Sequence, residues 1–182
     1  MGRLVDGEIP VSEVIEIVAN RWPTPPKPDE KSLNRFYGGF RYEELSGGNV
    51  RVIGDWERDN IVMVKAKVQG PKRYRKVQVH RKISTMFEDL MGVIFEMFPG
   101  YTIRQLGGFC ARHKMHDPRR GLSPHSWGCA VDINWDKNPV SKKLISDFPK
   151  GFPEIFESAG WNWGGRWRGT KDAMHFQFTE GA

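Results

Sequence analysis

Two segments near the C-terminal end alternate between apolar and polar residues, and this alternation constrains the fold more than any other feature. The first covers residues 129–134, where Cys129, Val131 and Ile133 alternate with Ala130, Asp132 and Asn134. The second covers residues 173–179, where Met174, Phe176 and Phe178 alternate with Ala173, His175, Gln177 and Thr179. Since successive side chains of a strand point to opposite faces, both segments predict strands with one face in the core. Asp132 and His175 then lie on the polar face.

A second histidine, His125, lies in the polar loop that precedes the first of these strands. Two imidazoles and one carboxylate, with a fourth position open to water, are typical of a catalytic zinc site and not of a closed structural one. The spacing alone leaves a second interpretation open. A histidine at a strand edge is commonly a hydrogen-bonded bystander, and an aspartate near a turn commonly caps it.

The rest of the chain predicts a mixed α+β fold. Strands are expected where β-branched residues cluster between turn signals, at residues 50–53, 61–68 and 77–80, with shorter strands at 103–106 and 109–112. A core-facing stripe predicts a helix from Lys82 to Phe98, which Pro99-Gly100 ends, and a second helix is expected at 154–159. We therefore expect a small antiparallel sheet with helices packed on one face and the zinc site on the open face.

The N-terminal region differs from the rest in composition. Residues 11–21 have the apolar spacing of an amphipathic helix, and the proline-rich run from Pro23 to Pro28 cannot continue it. We interpret residues 1–35 as a helix with a stiff linker and residues 36–182 as the catalytic domain. The basic run at residues 72–76 is interpreted as a solvated turn between strands.

Charge and apolar content limit the partners and the location. The formal net charge of +6 favours anionic partners, such as cell-wall polymers. Nucleic acid is disfavoured because no basic run carries the interleaved aromatic residues of a groove-reading element. The first ten residues lack the apolar core of a signal peptide, and no apolar stretch reaches the roughly 20 residues of a membrane span. We expect a monomer that is made in the cytoplasm without a signal peptide and needs a separate route to any wall.

Two linked motifs carry a family resemblance. The pattern Ser123-x-His125-x-x-Gly128-x-Ala130-x-Asp132, followed by Asp172-x-x-His175-Phe176, resembles the D-alanyl-D-alanine carboxypeptidase and L-alanyl-D-glutamate endopeptidase family. That family includes phage endolysins and shares its zinc-site architecture with the hedgehog signalling domain. The resemblance extends over about residues 36–180, including Gly107-Gly108-Phe109 and the tryptophan- and glycine-rich segment 160–167.

The resemblance assigns roles to individual residues. His125, Asp132 and His175 correspond to the zinc ligands, and Asp172 corresponds to the acidic residue that acts as general base. Residues three apart in a regular strand point to opposite faces, so Asp172 is expected on a turn entering the last strand, after Gly169-Thr170-Lys171. Arg112 resembles the family's arginine and is the candidate for stabilising an oxyanion, with a salt bridge or a clamp on a substrate carboxylate as alternatives.

Several other residues near the motifs have weaker assignments. Ser123 is a candidate for substrate binding, with capping of the local turn as the alternative, and Trp163 and Trp167 are candidates for lining the cleft. Trp161 is expected in the core, and Cys129 is expected to be a buried thiol that is not a nucleophile. His113 and His116 are not expected to be ligands because Lys114, Arg119 and Arg120 in the same loop repel a cation.

The sequence therefore predicts a zinc-dependent peptidase that hydrolyses peptide bonds of bacterial peptidoglycan. An endolysin-like enzyme is the leading hypothesis, with the L-Ala–D-Glu bond as its candidate target and phage lysis or virion delivery as its route to the wall. A D-Ala–D-Ala-type carboxypeptidase is the first alternative. A virion-associated structural or binding module that retains the zinc fold is the second.

Overall fold

The computed structural model describes residues 10–19, 21–70 and 73–181. Within these ranges the α-helices are α1 (Val11–Val18), α2 (Glu30–Tyr37), α3 (Trp56–Asn60), α4 (Arg81–Met97) and α5 (Phe152–Ser158). The strands are β1 (Arg41–Glu44), β2 (Val50–Ile53), β3 (Ile61–Lys67), β4 (Tyr74–His80), β5 (Leu106–Gly107), β6 (Ala130–Ile133), β7 (Val140–Ser141), β8 (Asn162–Trp163), β9 (Lys171–Asp172) and β10 (His175–Gln177). The fold is α+β with small antiparallel sheets, as predicted.

The central sheet has four strands in the order β5-β6-β10-β8, and all of its pairs are antiparallel. Its inner face packs on α5 through Phe176, whose ring centroid lies 4.6 Å from that of Phe156 and 6.2 Å from that of Trp163. Val131 and Ile133 of β6 are fully buried as well. The apolar half of each alternating segment therefore forms the core, and the polar half is left on the opposite face.

The β3–β4 ribbon and α4 form a second part of the same core. Alternate residues of the ribbon, Val64, Val77 and Val79, are buried together with Ile83 and Phe87 of α4. The ribbon reaches the central sheet where the Phe109 amide donates to the carbonyl of Gln78, at 2.7 Å. One continuous core therefore joins the two sheets.

Two predicted strands are shorter than the sequence indicated. Of residues 103–106 and 109–112, only Leu106 enters a ladder, as part of β5, while Arg112 forms an isolated bridge with Asn49. The physical reason is that the amides of Arg104 and Gln105 donate to the side-chain oxygen of Asn134 and so are not free to pair with a strand. The predicted last strand, 173–179, is reduced to His175–Gln177 because Ala173 and Met174 form a turn.

The N-terminal helices pack against the C-terminal half of the chain. Val14 and Val18 of α1 are buried in the common core, and the Tyr37 hydroxyl of α2 donates to the carbonyl of Phe178 at 2.8 Å. Helix α2, which the sequence did not predict, begins at the cap residue Asp29 and crosses position 35. The division at residue 35 stays a prediction. Residues 1–9 and Lys72 of the basic run lie outside the described residues. The prediction of a turn at residues 72–76 is wrong for Tyr74–Lys76, which pair with β3 as the first part of β4.

None of the described helices is both long enough and apolar enough to cross a membrane.

His80 joins β4 to α4 and is buried completely. Its Nδ1 accepts from the amide of Lys82 at 3.1 Å, and its Nε2 donates to the carbonyl of Tyr37 at 2.9 Å. These two bonds fix a neutral imidazole. Burial lowers the pKa of His80 to about 4, from an ordinary value of 6.5.

We therefore predict that His80 makes the fold sensitive to acid. Below pH 6.5 the unfolded chain binds a proton that the folded chain does not bind until about pH 4, so stability falls across that window and then levels off. We expect about 2 kcal/mol of loss in the metal-free protein, allowing for solvent screening, by urea unfolding. In a His80→Gln variant this part of the pH-dependent loss of stability should disappear. An equal loss between pH 7 and pH 4.5 in both proteins would contradict it.

Candidate metal and catalytic site

Two of the predicted ligands face each other across the central sheet. His175 of β10 and Asp132 of β6 are direct partners in the antiparallel register, and such partners project to the same face of a sheet. His175 Nδ1 lies 3.0 Å from Asp132 Oδ1. The register alone therefore brings an imidazole and a carboxylate together on the face away from α5.

A short 3-10 helix, Pro124–Trp127, places His125 beside this pair. The Ser123 hydroxyl caps the helix by accepting from the amide of His125, and Gly128 ends it in the left-handed conformation with φ 66°. His125 Nε2 lies 3.2 Å from His175 Nδ1 and 3.2 Å from Asp132 Oδ2. All three predicted ligands thus converge, and both histidines are at least 95% buried.

The outward nitrogen of each imidazole is held by an acceptor. His125 Nδ1 donates to the carbonyl of Gly108 at 2.7 Å, and His175 Nε2 donates to Gln177 Oε1 at 3.0 Å. The amide group of Gln177 is itself oriented, because its nitrogen donates to the hydroxyl of Thr179 at 2.6 Å. When each ring carries its single proton on the outward nitrogen, as a metal ligand must, His125 Nε2 and His175 Nδ1 offer lone pairs that point toward each other. Without a metal, the same two nitrogens contact the carboxylate of Asp132.

This arrangement fits a divalent cation. Two nitrogen lone pairs facing each other at 3.2 Å repel unless a proton or a cation lies between them. The donor atoms of His125, Asp132 and His175 all lie within 4.8 Å of one another. Two neutral imidazoles and a carboxylate are a donor set that suits Zn²⁺ with an open fourth position. The acceptors behind both rings match the outer shell that orients metal-binding histidines.

The charges within the triad are strongly coupled. Burial on its own would raise the pKa of Asp132, but hydrogen bonds from His125 and His175 outweigh it and hold that pKa far below its ordinary value. For His175, burial opposes protonation, and the hydrogen bond and charge of Asp132 raise the pKa despite it. Asp132 is therefore a carboxylate at all ordinary pH values, as a ligand must be.

Asp172 lies at the end of β9, beside the triad. It pairs with Val140 of β7, and the chain then turns at Ala173 and Met174 before His175 begins β10. The sequence placed this turn before Asp172, whereas the structure places it after. The expectation that Asp172 lies on a turn is therefore wrong, since Asp172 is the second residue of the short strand β9. Gly164 permits the approach, because a Cβ there would lie 2.3 Å from the Asp172 carbonyl oxygen.

The carboxyl group of Asp172 has the properties of a proton acceptor. Burial raises its pKa, and the negative charge of Asp132 adds to the increase. Its Oδ1 is buried and has no hydrogen-bond partner among the described residues. Buried carboxylate oxygens are nearly always hydrogen-bonded, so an oxygen that no described residue bonds is available to a water molecule or to a substrate proton.

Arg112 is near enough to Asp172 for its positive charge to oppose the raised pKa of that carboxyl group. Its backbone amide donates to the hydroxyl of Ser126, at 2.9 Å, which fixes Arg112 next to the helix of His125. Its guanidinium makes one contact of 3.3 Å with the His113 carbonyl and is half-buried. The positively charged guanidinium of Arg112 is therefore close enough to act electrostatically on the site.

The three predicted substrate-binding residues have different surroundings. Trp167 is half-buried with its ring centroid 5.4 Å from that of His175, so it borders the site. Trp163 lies in the core instead: it is 5% exposed, stacks on Phe176, and its Nε1 donates to the carbonyl of Ala173. That bond draws the indole inward, so the assignment of Trp163 to the cleft wall is corrected. Ser123, 4% exposed, has the capping role that the sequence left as the alternative.

The residues that the sequence set aside are occupied elsewhere. His113 contacts Glu44 through Nε2 at 3.0 Å, and His116 Nδ1 contacts the carbonyl of Gly47 at 3.2 Å. Cys129 is fully buried, and burial raises the pKa of its thiol. Trp161 is in the core, as predicted.

Gln177, Thr179 and Gly108 are the site residues that the sequence analysis did not identify. The alternation of the last strand had already placed Gln177 and Thr179 on the same face as His175, and this signal could have found them. Gly108 belongs to the Gly107-Gly108-Phe109 segment of the resemblance, but nothing in the sequence indicates that its backbone carbonyl accepts from His125.

One family model matches the part of the chain that carries the candidate site. Residues 116–178 match the family described as D-alanyl-D-alanine carboxypeptidase, and they contain His125, Asp132, Asp172 and His175. The match supports the family that the two motifs indicate, over residues 116–178. Searches of curated proteins and of solved structures gave no match.

The hydrogen bond behind His175 leads to a prediction. A Gln177→Leu variant removes the acceptor for His175 Nε2, and loss of such outer-shell partners weakens metal binding by about 10- to 100-fold. We expect a decrease of about tenfold in Zn²⁺ affinity, measured by competition with a chelating dye. Gln177→Glu keeps the acceptor and should keep the affinity.

Gln69→Leu provides the matched control, because the side chain of Gln69 donates to the Phe95 carbonyl, far along the chain from the triad. Equal Zn²⁺ affinity in Gln177→Leu and Gln69→Leu would show that the side chain of Gln177 does not orient His175.

Proposed function

We propose that the protein is a zinc-dependent peptidase that hydrolyses a peptide bond within the stem or bridge peptides of peptidoglycan, as endolysins do. The observation that carries the proposal is the convergence of three metal-type donors next to a buried carboxylate oxygen without a partner. A triad that only stabilised the fold would not need the second carboxyl group. The family match supports the same class of substrate.

His125, Asp132 and His175 would hold the metal through Nε2, a carboxylate oxygen and Nδ1, the three atoms whose lone pairs converge. When bound, Zn²⁺ supplies a Lewis acid that polarises a substrate carbonyl and increases the acidity of a water molecule. The carbonyl of Gly108 and the side chain of Gln177 hold both imidazole rings in one orientation, so no reorganisation of the rings is required during the reaction.

Asp172 would move the proton. Its Oδ1 has no competing hydrogen bond, so it can accept a proton from the attacking water and return it to the leaving amide nitrogen. The raised pKa brings the carboxyl group nearer to the operating pH, which suits a group that must both accept and release a proton.

Arg112 would act on the substrate side of the reaction. In an endopeptidase its guanidinium stabilises the negative charge that develops on the carbonyl oxygen. A cation at the site also meets the need of a carboxypeptidase, which must bind the terminal carboxylate of its substrate. The position of Arg112 near Asp172 is therefore the observation that keeps the D-Ala–D-Ala-type carboxypeptidase as a second candidate.

The endopeptidase remains our first proposal, with the L-Ala–D-Glu bond as its target and phage lysis or virion delivery as the route to the wall. A non-catalytic virion module is less consistent with the site. Such a module would have no use for an unpartnered buried oxygen, which reduces stability without a compensating contact.

We predict that Asp172→Asn abolishes hydrolysis and leaves metal binding intact. Removal of a general base typically costs about 10²- to 10⁴-fold in rate, so we expect a fall of that size in kcat on purified peptidoglycan. The zinc content, measured by atomic emission, should stay at one ion per chain. His175→Ala should lose both zinc and activity, because it removes a ligand.

Asp89→Asn is the matched control, because Asp89 is a surface carboxylate paired with Arg21. It should retain full activity. If Asp172→Asn degraded the wall at the rate of Asp89→Asn, Asp172 would not be the general base.

Arg112→Ala should separate the two peptidase hypotheses. For an oxyanion role, we expect kcat to fall about 100-fold on internal peptide bonds with little change in KM. For a carboxylate clamp, the variant should instead raise KM on peptides ending in D-Ala–D-Ala and spare substrates with an amidated end. Mass spectrometry of the released muropeptides identifies the bond, and no effect on either substrate type would remove Arg112 from the site.

A further inference from the structure

Trp135 is an exposed aromatic residue on the loop that follows the ligand strand β6. Its indole is 43% exposed, whereas Trp127, Trp161 and Trp163 are at most 5% exposed. Single exposed apolar residues are common on protein surfaces, so exposure alone carries no function. Two further observations distinguish Trp135: the face on which it lies and the way its loop is held.

The indole of Trp135 lies on the face of the sheet that carries the triad. Gly107 of β5 is the direct partner of Asp132, so a side chain at Gly107 would project to the same face as Asp132. A Cβ built at Gly107 would meet Cζ3 of Trp135 at 3.7 Å. The ring therefore covers Gly107, one strand away from the metal ligand.

The position of Trp135 mirrors that of Trp167 across the triad. In the strand order β5-β6-β10-β8, Trp135 lies over the β5 edge, while Trp167 follows β8 and contacts the ring of His175. The two indoles thus flank the metal-type residues on opposite sides of one sheet face. A substrate that reached the triad would pass along this row.

The loop that presents Trp135 is rigid. Asn134 is completely buried and has a φ of 48°, in the left-handed region that non-glycine residues seldom adopt. Its side chain makes four hydrogen bonds to residues 101–105, at 2.8 to 3.0 Å. Its carbonyl accepts from the amides of Lys137 and Asn138 at 3.0 Å. A strained, fully bonded asparagine therefore holds an exposed indole in one place.

Rigid presentation of an exposed ring is the arrangement expected of a binding surface. Pre-organisation reduces the entropy lost on binding, and tryptophan gives a large flat contact area with few rotatable bonds. The face of an indole attracts aliphatic C–H groups, which occur in peptidoglycan both on the sugar rings and on the side chains of the stem peptide. A buried role is excluded because almost half of the side chain is accessible.

We propose that Trp135 forms an aromatic subsite of the cleft, which binds an aliphatic C–H face of the substrate on the β5 side of the triad. The inference depends on the proposed peptidase function, and it adds a residue that positions the substrate without taking part in bond cleavage. Trp135 would contact the substrate and not the metal, so its substitution should change KM and leave zinc binding unchanged.

The test uses the zinc-loaded full chain with three variants, Trp135→Ala, Trp135→Phe and Tyr74→Ala. Tyr74 is a matched control, since it is an aromatic residue that is 56% exposed at the start of β4. We expect Trp135→Ala to raise KM for a soluble muropeptide about tenfold, with kcat changed less than about twofold and zinc affinity unchanged. Trp135→Phe should recover most of the loss, and Tyr74→Ala should match the wild-type protein.

A second substrate, the same stem peptide without its sugar, identifies the group that Trp135 contacts. If the KM effect persists on the sugar-free peptide, the partner is an aliphatic peptide side chain, and if it disappears, the partner is the sugar ring.

Three results would contradict the proposal that Trp135 forms a substrate subsite. They are a KM for Trp135→Ala equal to that of Tyr74→Ala, a fall in kcat with unchanged KM, or a loss of zinc. Absence of hydrolysis by the wild-type protein would instead refute the peptidase function, so the two failures are distinguishable.

Discussion

The cross-strand pairing of His175 with Asp132 is the constraint on which the site depends. A slip of one residue by either strand in the β6–β10 register would turn that strand over: Asp132 or His175 would move to the core face, and Val131 or Phe176, each completely buried, would be exposed. The cost of exposing either of those apolar residues is far larger than the gain from any polar contact. The core therefore fixes the register, and the register fixes two of the three metal-type donors.

The orientation of His125, the third donor, depends on a segment that precedes residues 116–178, the range that matches the family model. His125 Nδ1 donates to the carbonyl of Gly108, which lies against β4 so closely that a Cβ at position 108 would be 2.2 Å from the Gln78 oxygen. Only glycine permits this approach. The β3–β4 ribbon thus supports the site from behind, and the packing of the N-terminal half has a direct consequence for the chemistry.

The sequence predicted the triad because alternation and face are local properties of a strand, and it placed Phe176 and Cys129 in the core for the same reason. It placed Trp163 in the cleft wall and gave no position for Trp135, since the positions of both depend on contacts between distant segments. Trp163 is drawn inward by the carbonyl of Ala173, and Trp135 is held over Gly107 by the bonds of Asn134. The predicted strand lengths were wrong where side chains, and not neighbouring strands, accept the hydrogen bonds of the backbone amides.

The two carboxyl groups near the histidines have opposite electrostatic environments, and this difference separates their roles. Hydrogen bonds from His125 and His175 hold Asp132 ionised, whereas burial raises the pKa of Asp172 and leaves one of its oxygens without a partner. A ligand must remain charged throughout a reaction, while a general base must exchange a proton near neutral pH. Two pKa values pushed apart in this way suit a permanent anion and a proton carrier, which supports the roles proposed for Asp132 and Asp172. The turn at Ala173 and Met174 makes this possible, because it lets Asp172 leave the central sheet, pair with β7 and still lie beside the triad.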